Sequence, residues 1–434
     1  NFAVNGDGIT QIYNNVTANA SLANETGTKW TTNVLNKKDI FSDFLNYKTT
    51  NVKTFQFQTA TDRYTPLASY DKVFEIDSEI NINGVYDDES GNYSTIYFNN
   101  KSFTANIISG GKMTFRDVRL YKTSYVTPYK IFVISKGGEL NFENVFVNTM
   151  NGVQNSGHIE NFTGLADYWQ IHGFTNYGTV KNYQFKVLSR SSNSTHFYNS
   201  GTIGDENGNG IINAIFKLCS IGQSPNPAVV LRNYGTIYNI KDTMFIQNYH
   251  FASDSSLTAG TIANTKNIIN FSDNIFYGNY IYGSSKGNYS ENDKGVGIFN
   301  GSGGNFINGL ISIIFKSNYI RNYYAGGTAL YNESPTTKIL VVDKNIFDTN
   351  YIRYEPYPDK FAQGGAIYGE VDTISGNFTG NYVICNQTDE SLQAQGGAIY
   401  TSNQRFVADG KSYEFTGNYV SNDGGTTKDY NAIY

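Results

Sequence analysis

The chain has 434 residues and a formal net charge of −5, and charged residues make up 16% of it, against roughly 25% in an average globular domain. With 35 Tyr, 29 Phe and 43 Gly, it is too aromatic and too weakly charged for a disordered protein, and without a basic excess we expect no nucleic-acid partner. Two cysteines, Cys219 and Cys385, are too few for a disulfide scaffold.

The N-terminal part differs in pattern from the rest of the chain. Apolar residues between Trp30 and Tyr47, including Leu35, Ile40 and Phe44, recur at roughly helical spacing. They are followed by an alternating segment from Val52 to Phe57 that predicts a strand. Because the first strand of a stacked array has an open edge, we expect residues 1–70 to form an N-terminal cap with the first strands.

Residues 71–240 contain short related segments instead of one strict repeat. Two segments share a Gly-Gly-x-x-x-Phe pattern and begin at Gly110 and Gly137. Four others share an Asn-x-Gly-x-aliphatic pattern and begin at Asn155, Asn176, Asn199 and Asn233. Alternating segments between Gly and Asn turns predict irregular coils of short strands.

Two motifs interleave through residues 241–434. Phe-x-x-Asn-Tyr recurs at Phe245, Phe276, Phe315, Phe347, Phe378 and Phe415. Gly-Gly-Ala-Ile-Tyr occurs at Gly364 and Gly396, with looser copies at Gly295 and Gly326. A repeat of this length without helix-length amphipathic stretches favours an all-β fold, a right-handed parallel β-helix (β-solenoid), with one repeat per coil.

The β-helix assigns a role to each repeated residue type. Phe and the aliphatic residues of the motifs should point inward and stack from coil to coil, at the inter-strand spacing of about 4.8 Å. Repeated Asn side chains should hydrogen-bond along the stack and take the left-handed backbone conformation at the turns. Gly pairs should allow tight bends.

The alternation of Gly-Gly-Ala-Ile and Phe-x-x-Asn over residues 245–434 resembles the chlamydial polymorphic outer membrane proteins, which are autotransporters with a β-helical passenger. Similar repeats occur in adhesin-like surface proteins of methanogenic archaea. The resemblance implies a non-catalytic adhesin at a microbial cell surface, on the outer membrane in a bacterium, or secreted. Its partner would be a surface protein or glycan of a host or neighbouring cell, and it would reach a membrane only through an anchor or β-barrel beyond Tyr434, where the chain stops within a repeat.

Two other functions stay open: a polysaccharide-degrading β-helix enzyme of the tailspike kind, and a purely structural surface-layer or filament rod. For the enzyme, Glu75, Asp77 and Glu79 would lie on one face of a single strand, about 7 Å apart, a separation at which carboxylates can hydrolyse glycosides. A solvated outer face is the simpler interpretation. No Gly-x-Ser-x-Gly, phosphate-loop or zinc-binding His motif occurs, so we expect no catalytic residues.

One short segment resembles the start of a calcium loop. Asp205, Asn207 and Asn209 occupy the first, third and fifth positions and Gly210 the sixth, but Phe216 stands at position twelve, where a bidentate Glu is expected. The segment predicts either a structural calcium site or an ordinary Gly/Asn turn. We expect no other cofactor.

Candidate binding residues follow from the alternation in the second motif. If Leu330, Ile367 and Ile399 point inward, the tyrosines after them form an outer column suited to carbohydrate or protein contact, or a structural ladder. The column contains Tyr331, Tyr368, Tyr400 and Tyr434. The longest insertions between motifs are candidate contact loops: Gly283–Lys294, Tyr354–Gln363 with Tyr354 and Tyr357 as candidate contacts, and Gln387–Gln395.

Overall fold

A computed structural model gives the architecture, and the chain forms two compact units, Asn1–Val187 and Leu188–Tyr434. The described residues are 2–6, 9–13, 22–23, 29–30, 44–45, 52–57, 59–60, 63–64, 71–97, 102–121, 130–150, 152–169, 173–192, 195–221, 230–252, 258–283, 293–321, 325–333, 339–353, 362–385, 394–401 and 413–434.

The first unit contains strands β1 to β19, which in chain order are Phe2–Gly6, Ile9–Tyr13, Leu22–Ala23, Lys29–Trp30, Lys53–Phe57, Arg63–Tyr64, Asp71–Ile76, Glu79–Asn83, Tyr86–Asp87, Asn92–Tyr97, Ser102–Ile107, Lys112–Arg116, Val118–Tyr121, Lys130–Ile134, Glu139–Met150, Gly152–Asn155, His158–Trp169, Phe174–Asn176 and Thr179–Val187.

The second unit contains strands β20 to β51, which in chain order are Arg190–Ser192, Phe197–Asn199, Thr202–Ile203, Ile211–Ile212, Ile215–Lys217, Cys219–Ile221, Leu231–Asn233, Thr236–Lys241, Met244–Ile246, Tyr249–Ala252, Thr258–Ala259, Ile262–Asn264, Asn267–Ser272, Ile275–Tyr277, Tyr280–Gly283, Asp293–Lys294, Ile298–Asn300, Asn305–Phe306, Leu310–Ile311, Ile314–Lys316, Tyr319–Arg321, Ala325–Gly326, Leu330–Asn332, Ile339–Asp348, Tyr351–Arg353, Ala362–Gln363, Ile367–Gly369, Val371–Thr379, Tyr382–Ile384, Ile399–Tyr400, Tyr413–Thr416 and Tyr419–Ser421.

In the first unit, consecutive coils pair through parallel ladders. One ladder joins β7, β11, β14, β16 and β18, and another joins β8, β12, β15, β17 and β19. Before them, β1 pairs antiparallel with β2 and β5, and β5 pairs parallel with β8. The predicted strand at Val52–Phe57 is confirmed as β5, with Phe55 and Phe57 buried. Of the region with helical spacing, only the helical pair Phe44 and Leu45 and the strand residues Lys29 and Trp30 are described.

In the second unit, the same arrangement recurs coil after coil. One parallel ladder runs through β21, β26, β31, β36, β42, β46 and β49, and a second runs through β24, β28, β33, β39, β43, β47 and β50. A third joins β25, β29, β34, β40, β44, β48 and β51. The predicted all-β parallel β-helix is confirmed, while the predicted boundary near residue 240 stays a prediction.

Inward-pointing Phe side chains form a continuous stack in the second unit. The stack runs through Phe216, Phe245, Phe276, Phe315, Phe347, Phe378 and Phe415, with ring centroids 4.4–5.4 Å apart. The first six are at most 1% exposed. Each ring thus buries its apolar area against the rings of adjacent coils, worth about 2 kcal/mol per side chain.

A column of buried Asn side chains accompanies the Phe stack. It contains Asn248, Asn279, Asn318, Asn350, Asn381 and Asn418, and each Nδ2 donates to the Oδ1 of the next at 2.9–3.0 Å. A second column runs from Asn199 to Asn332 with the same bonds at 2.8–3.0 Å. The predicted Asn hydrogen bonds along the stack are confirmed.

The expected backbone role of Asn is wrong for the Phe-x-x-Asn motif. The left-handed residue is the one before Asn: Gln247, Gly278, Ser317, Thr349, Gly380 and Gly417 have φ between 51° and 64°. The Asn side chain must reach inward to bond two neighbouring coils, so the preceding residue makes the turn. In the other motif Gly327, Gly364 and Gly396 have φ of 51–66°, which confirms the predicted tight bends.

None of the described residues belongs to a helix that is long and apolar enough to cross a lipid bilayer.

Candidate functional site

The predicted Tyr column lies on the outer face of the second unit. Leu330, Ile367 and Ile399 are fully buried, and the register pairs Tyr331 with Tyr368 and Tyr368 with Tyr400. Successive rings from Tyr331 to Tyr434 stack with centroids 4.4, 5.2 and 5.5 Å apart and planes within 10°. The ring faces therefore cover one another, and the column presents ring edges and hydroxyls to solvent.

Burial makes the hydroxyls of Tyr331 and Tyr368 hard to ionise. It raises the pKa of Tyr331, with repulsion from Tyr368 as a second cause, and it raises the pKa of Tyr368. Gly326 lies so close that a Cβ there would stand 2.8 Å from the Tyr331 ring. The column is thus a tightly packed, half-buried row of neutral hydrogen-bonding groups.

A second Tyr column, which we did not propose from the sequence as a binding site, runs beside the Asn column. It contains Tyr249, Tyr280, Tyr319, Tyr351, Tyr382 and Tyr419, with centroids 4.7–5.1 Å apart and planes within 11°. Burial raises the pKa of Tyr319 and Tyr382 to about 12, helped by their Tyr neighbours. The signal in the sequence was the Tyr that directly follows every Phe-x-x-Asn motif.

The insertions between coils start and return at one corner of the second unit. They leave after the strands that carry the second Tyr column, for example after Gly283 on β34 and Arg353 on β44. They return at a four-stranded parallel sheet of β30, β35, β41 and β45. Because these strands are in register, the insertions succeed one another along that corner. Most of the three candidate loops, with Tyr354 and Tyr357, lie outside the described residues.

The candidate calcium loop is closed by its own hydrogen bonds. Asp205 Oδ1 accepts from the backbone N–H of Asn207 at 2.9 Å, and Asp205 Oδ2 accepts from Asn209 Nδ2 at 2.7 Å. The Asn209 carbonyl accepts from Asn239 Nδ2 at 2.7 Å. All three oxygens already accept hydrogen bonds, and Phe216, at position twelve, is buried and offers no oxygen. The residues fit an Asx turn better than a calcium site.

The three candidate carboxylates do not share a strand. Glu75 lies on β7 and Glu79 on β8, and Asp77 falls in the bend between them. Since β7 and β8 belong to different parallel ladders, the single-strand spacing assumed from the sequence is wrong. All three side chains are at least partly exposed, as the solvated-face interpretation predicted.

A different set of charged residues meets on the outer face of β12, β15, β17 and β19 in the first unit. Lys112 Nζ contacts Glu139 Oε1 at 3.0 Å, and Glu139 Oε1 accepts from Asn141 Nδ2 at 2.6 Å. One coil further, Glu160 contacts both Lys181 and His158 Nε2, the latter at 3.1 Å. The signal was present in the sequence, since Lys112 and Glu139 hold the same position in the two Gly-Gly-x-x-x-Phe segments.

This face is held in place by its own bonds. His158 Nδ1 lies 2.7 Å from Thr179 Oγ1, so the imidazole is fixed between Thr179 and Glu160. The hydrogen bond from Lys181, and then that from His158, lower the pKa of Glu160. The face therefore carries charged but mutually neutralised side chains in fixed positions.

The remaining His and Cys residues do not form a site. His196 and His250 are buried, as are Cys219 and Cys385, and His172 lies outside the described residues. Within the described parts of the chain, no three His, Cys, Asp or Glu side chains are grouped so that they could hold a metal ion.

No protein-family model, no curated protein and no solved structure matches this chain.

Proposed function

We propose that this protein is a non-catalytic microbial cell-surface adhesin whose β-helix presents insertions along one corner to a surface protein or glycan of a host or neighbouring cell. The observation that carries the proposal is the common corner at which the insertions leave and return in consecutive coils. Their lengths differ from coil to coil, and loops on a rigid scaffold are where binding residues concentrate.

The ladders supply the rigidity that such a stem needs. Each coil is fixed to the next by strand pairing, a Phe stack and Asn side-chain bonds, so neighbouring loops keep constant separations. Once one weak contact has formed, the fixed geometry holds the others at a high effective concentration, so several weak contacts together give high avidity.

The Tyr column of Tyr331, Tyr368 and Tyr400 contributes hydroxyl contacts in this proposal. Sugar stacking needs an open ring face, and the faces are covered by the neighbouring rings. Burial raises the pKa of Tyr331 and Tyr368 further above the ordinary tyrosine value of about 10, so these two hydroxyls stay protonated. They can therefore donate hydrogen bonds to a partner at physiological pH.

Cell binding by a labelled full chain tests the proposal. We would replace residues 354–361 and 386–393, which are insertions at the loop corner, by Gly-Ser linkers of equal length and measure binding to cultured host cells and to microbial cells by flow cytometry. Replacement of residues 334–338, which connect β42 and β43 elsewhere on the coil, is the matched control. We expect the corner variant to lose at least tenfold in binding and the control to keep it.

Equal binding by the corner variant and the control would contradict the proposal. Ordered filaments of the purified chain with no cell binding would instead favour the structural rod. New reducing ends in a polysaccharide incubated with the chain would favour the enzyme.

A further inference from the structure

We propose that the polar outer face of the first unit binds an extended, neutral, β-1,4-linked polysaccharide, with the sugar chain lying across successive coils. The face consists of the outward residues of β8, β12, β15, β17 and β19. These strands belong to the first unit, whereas the adhesion proposal concerns insertions of the second unit, so the inference does not rest on that proposal.

The first argument is register. One outward column contains Glu79, Lys112, Glu139, His158 and Thr179, each the direct strand partner of the next. Successive members are about 4.8 Å apart, close to the rise per sugar in an extended pyranose ribbon. Because successive β-1,4-linked sugars are turned over relative to each other, alternate sugars present the same hydroxyls to one side and would meet every second coil.

The second argument is the chemistry of the side chains. Carboxylate, ammonium, imidazole and hydroxyl groups alternate along the column, so a ribbon of hydroxyls finds donors and acceptors in turn. The side chains of Lys112, Glu139, His158, Glu160 and Lys181 are 27–39% exposed. Each is held by a neighbour, which reduces the entropy lost when a ligand binds.

The third argument is charge. Lys112 neutralises Glu139, and Lys181 neutralises Glu160; farther along the strands, Arg116 pairs with Glu143 at 2.5 Å. An anionic glycan would meet these carboxylates without a surplus of cations to offset them. The face therefore fits a neutral polysaccharide.

The charged column is not required by the coil itself. The residue after Gly in the Asn-x-Gly-x-aliphatic motif is Thr202 and Thr236 in the second unit, and their ladder continues with Asn267 and Asn305. Those coils stack without charges at the equivalent positions. Coil stacking therefore does not by itself account for the charged side chains of the first unit.

Calorimetric titration of the full chain with cellohexaose, an extended β-1,4-linked sugar, tests the inference. Maltohexaose, whose α-1,4-linked chain is curved, is the comparison ligand. We expect binding of cellohexaose and at least tenfold weaker binding of maltohexaose, a difference of about 1.4 kcal/mol. Lys112→Ala and Glu139→Ala, both on the surface, should each raise the Kd for cellohexaose at least tenfold. Asn305→Ala, at the uncharged column of the second unit, should leave it unchanged.

Absence of heat with cellohexaose at millimolar concentration would overturn the inference, as would equal affinity for the two sugars. Unchanged affinity in both variants, with unchanged circular dichroism, would also overturn it. Cell binding by the loop-replacement variants is measured separately, so failure of one proposal is distinguishable from failure of the other.

Discussion

Removal of one amide from the buried Asn column should destabilise the second unit far more than its size suggests. Asn318 Oδ1 accepts from the backbone N–H and the Nδ2 of Asn279, at 3.1 and 2.9 Å. Asn318 Nδ2 donates to the carbonyl of Phe276 at 3.0 Å and to Asn350 Oδ1 at 2.9 Å. The side chain therefore bonds the coil before it and the coil after it.

Asn318→Ala breaks all four bonds inside a site that water does not reach. The Asn279 N–H and the Phe276 carbonyl lose the partners they have in Asn318, whereas Asn350 Oδ1 still accepts from the Asn318 backbone N–H at 3.2 Å. At about 1–3 kcal/mol for each orphaned buried group, the expected loss is about 4 kcal/mol. Such a loss is exceptional for a single substitution.

Guanidinium denaturation followed by far-ultraviolet circular dichroism measures the loss. Asn308→Ala is the control, because the exposed Asn308 amide makes a similar bond to Asn270 Oδ1 at 2.6 Å and should cost about 0.5 kcal/mol. Asn318→Leu restores volume without the bonds and should be as destabilised as Asn318→Ala. A loss below about 1 kcal/mol in Asn318→Ala, or recovery in Asn318→Leu, would refute the hydrogen-bond argument.

Three further predictions concern the same ladders. Thr349 has φ of 56°, a strained conformation for a β-branched residue, so Thr349→Gly should raise the free energy of unfolding by about 1 kcal/mol. Gly380→Thr, at the equivalent position of the next coil, should lower the free energy of unfolding by a similar amount. Equal midpoints of the variants and the parent chain in guanidinium would contradict this prediction. A Cβ at Gly365 would lie 2.1 Å from a carbonyl oxygen of the next coil, so Gly365→Ala should cost at least about 2 kcal/mol in the same assay, and a neutral result would show that the coils can separate there. The pKa of Tyr319 and Tyr382 is about 12 in the fold and about 10 in an unfolded chain. The unfolded state therefore loses protons first, and the free energy of unfolding should fall as pH rises from about 10 to about 12. The unfolding midpoint of Tyr319→Phe should decline less steeply over that range, and a decline identical to that of the parent chain would count against the burial of the column.

The fold was predictable because the residues that repeat in the sequence are the ones that stack in the core. Identical residues recur at the coil length, and strands stacked in register place them one above another. Phe245 and Phe276 therefore had to stack, and Asn248 and Asn279 had to meet, once the coil was recognised. Alternation also placed Tyr331 outside, since the adjacent Leu330 belongs to the core.

The backbone conformation at the turns was harder to predict, because the conformational preference of a residue competes there with the hydrogen bonds that its side chain must make. Asn is the residue expected to take the left-handed conformation, yet in Phe-x-x-Asn it is needed inside as a hydrogen-bonding bridge. The left-handed position then falls on the residue before that Asn, such as Gln247 or Thr349. A propensity scale assigns each residue one preference and carries no information on which of two roles the fold requires.

The sequence by itself determined a β-helix and its ladder residues, because these follow from local alternation repeated at coil length. The corner at which the loops leave and return became known from the strand pairing of the second unit. Only the tertiary structure decided that Glu75 and Glu79 lie on different ladders, and that Lys112 meets Glu139 while Glu160 meets Lys181. In the less regular first unit the number of residues between strands varies, so sequence distance does not fix which side chains are neighbours. Neighbours there are set by strand register, which depends on the packing of all the coils together.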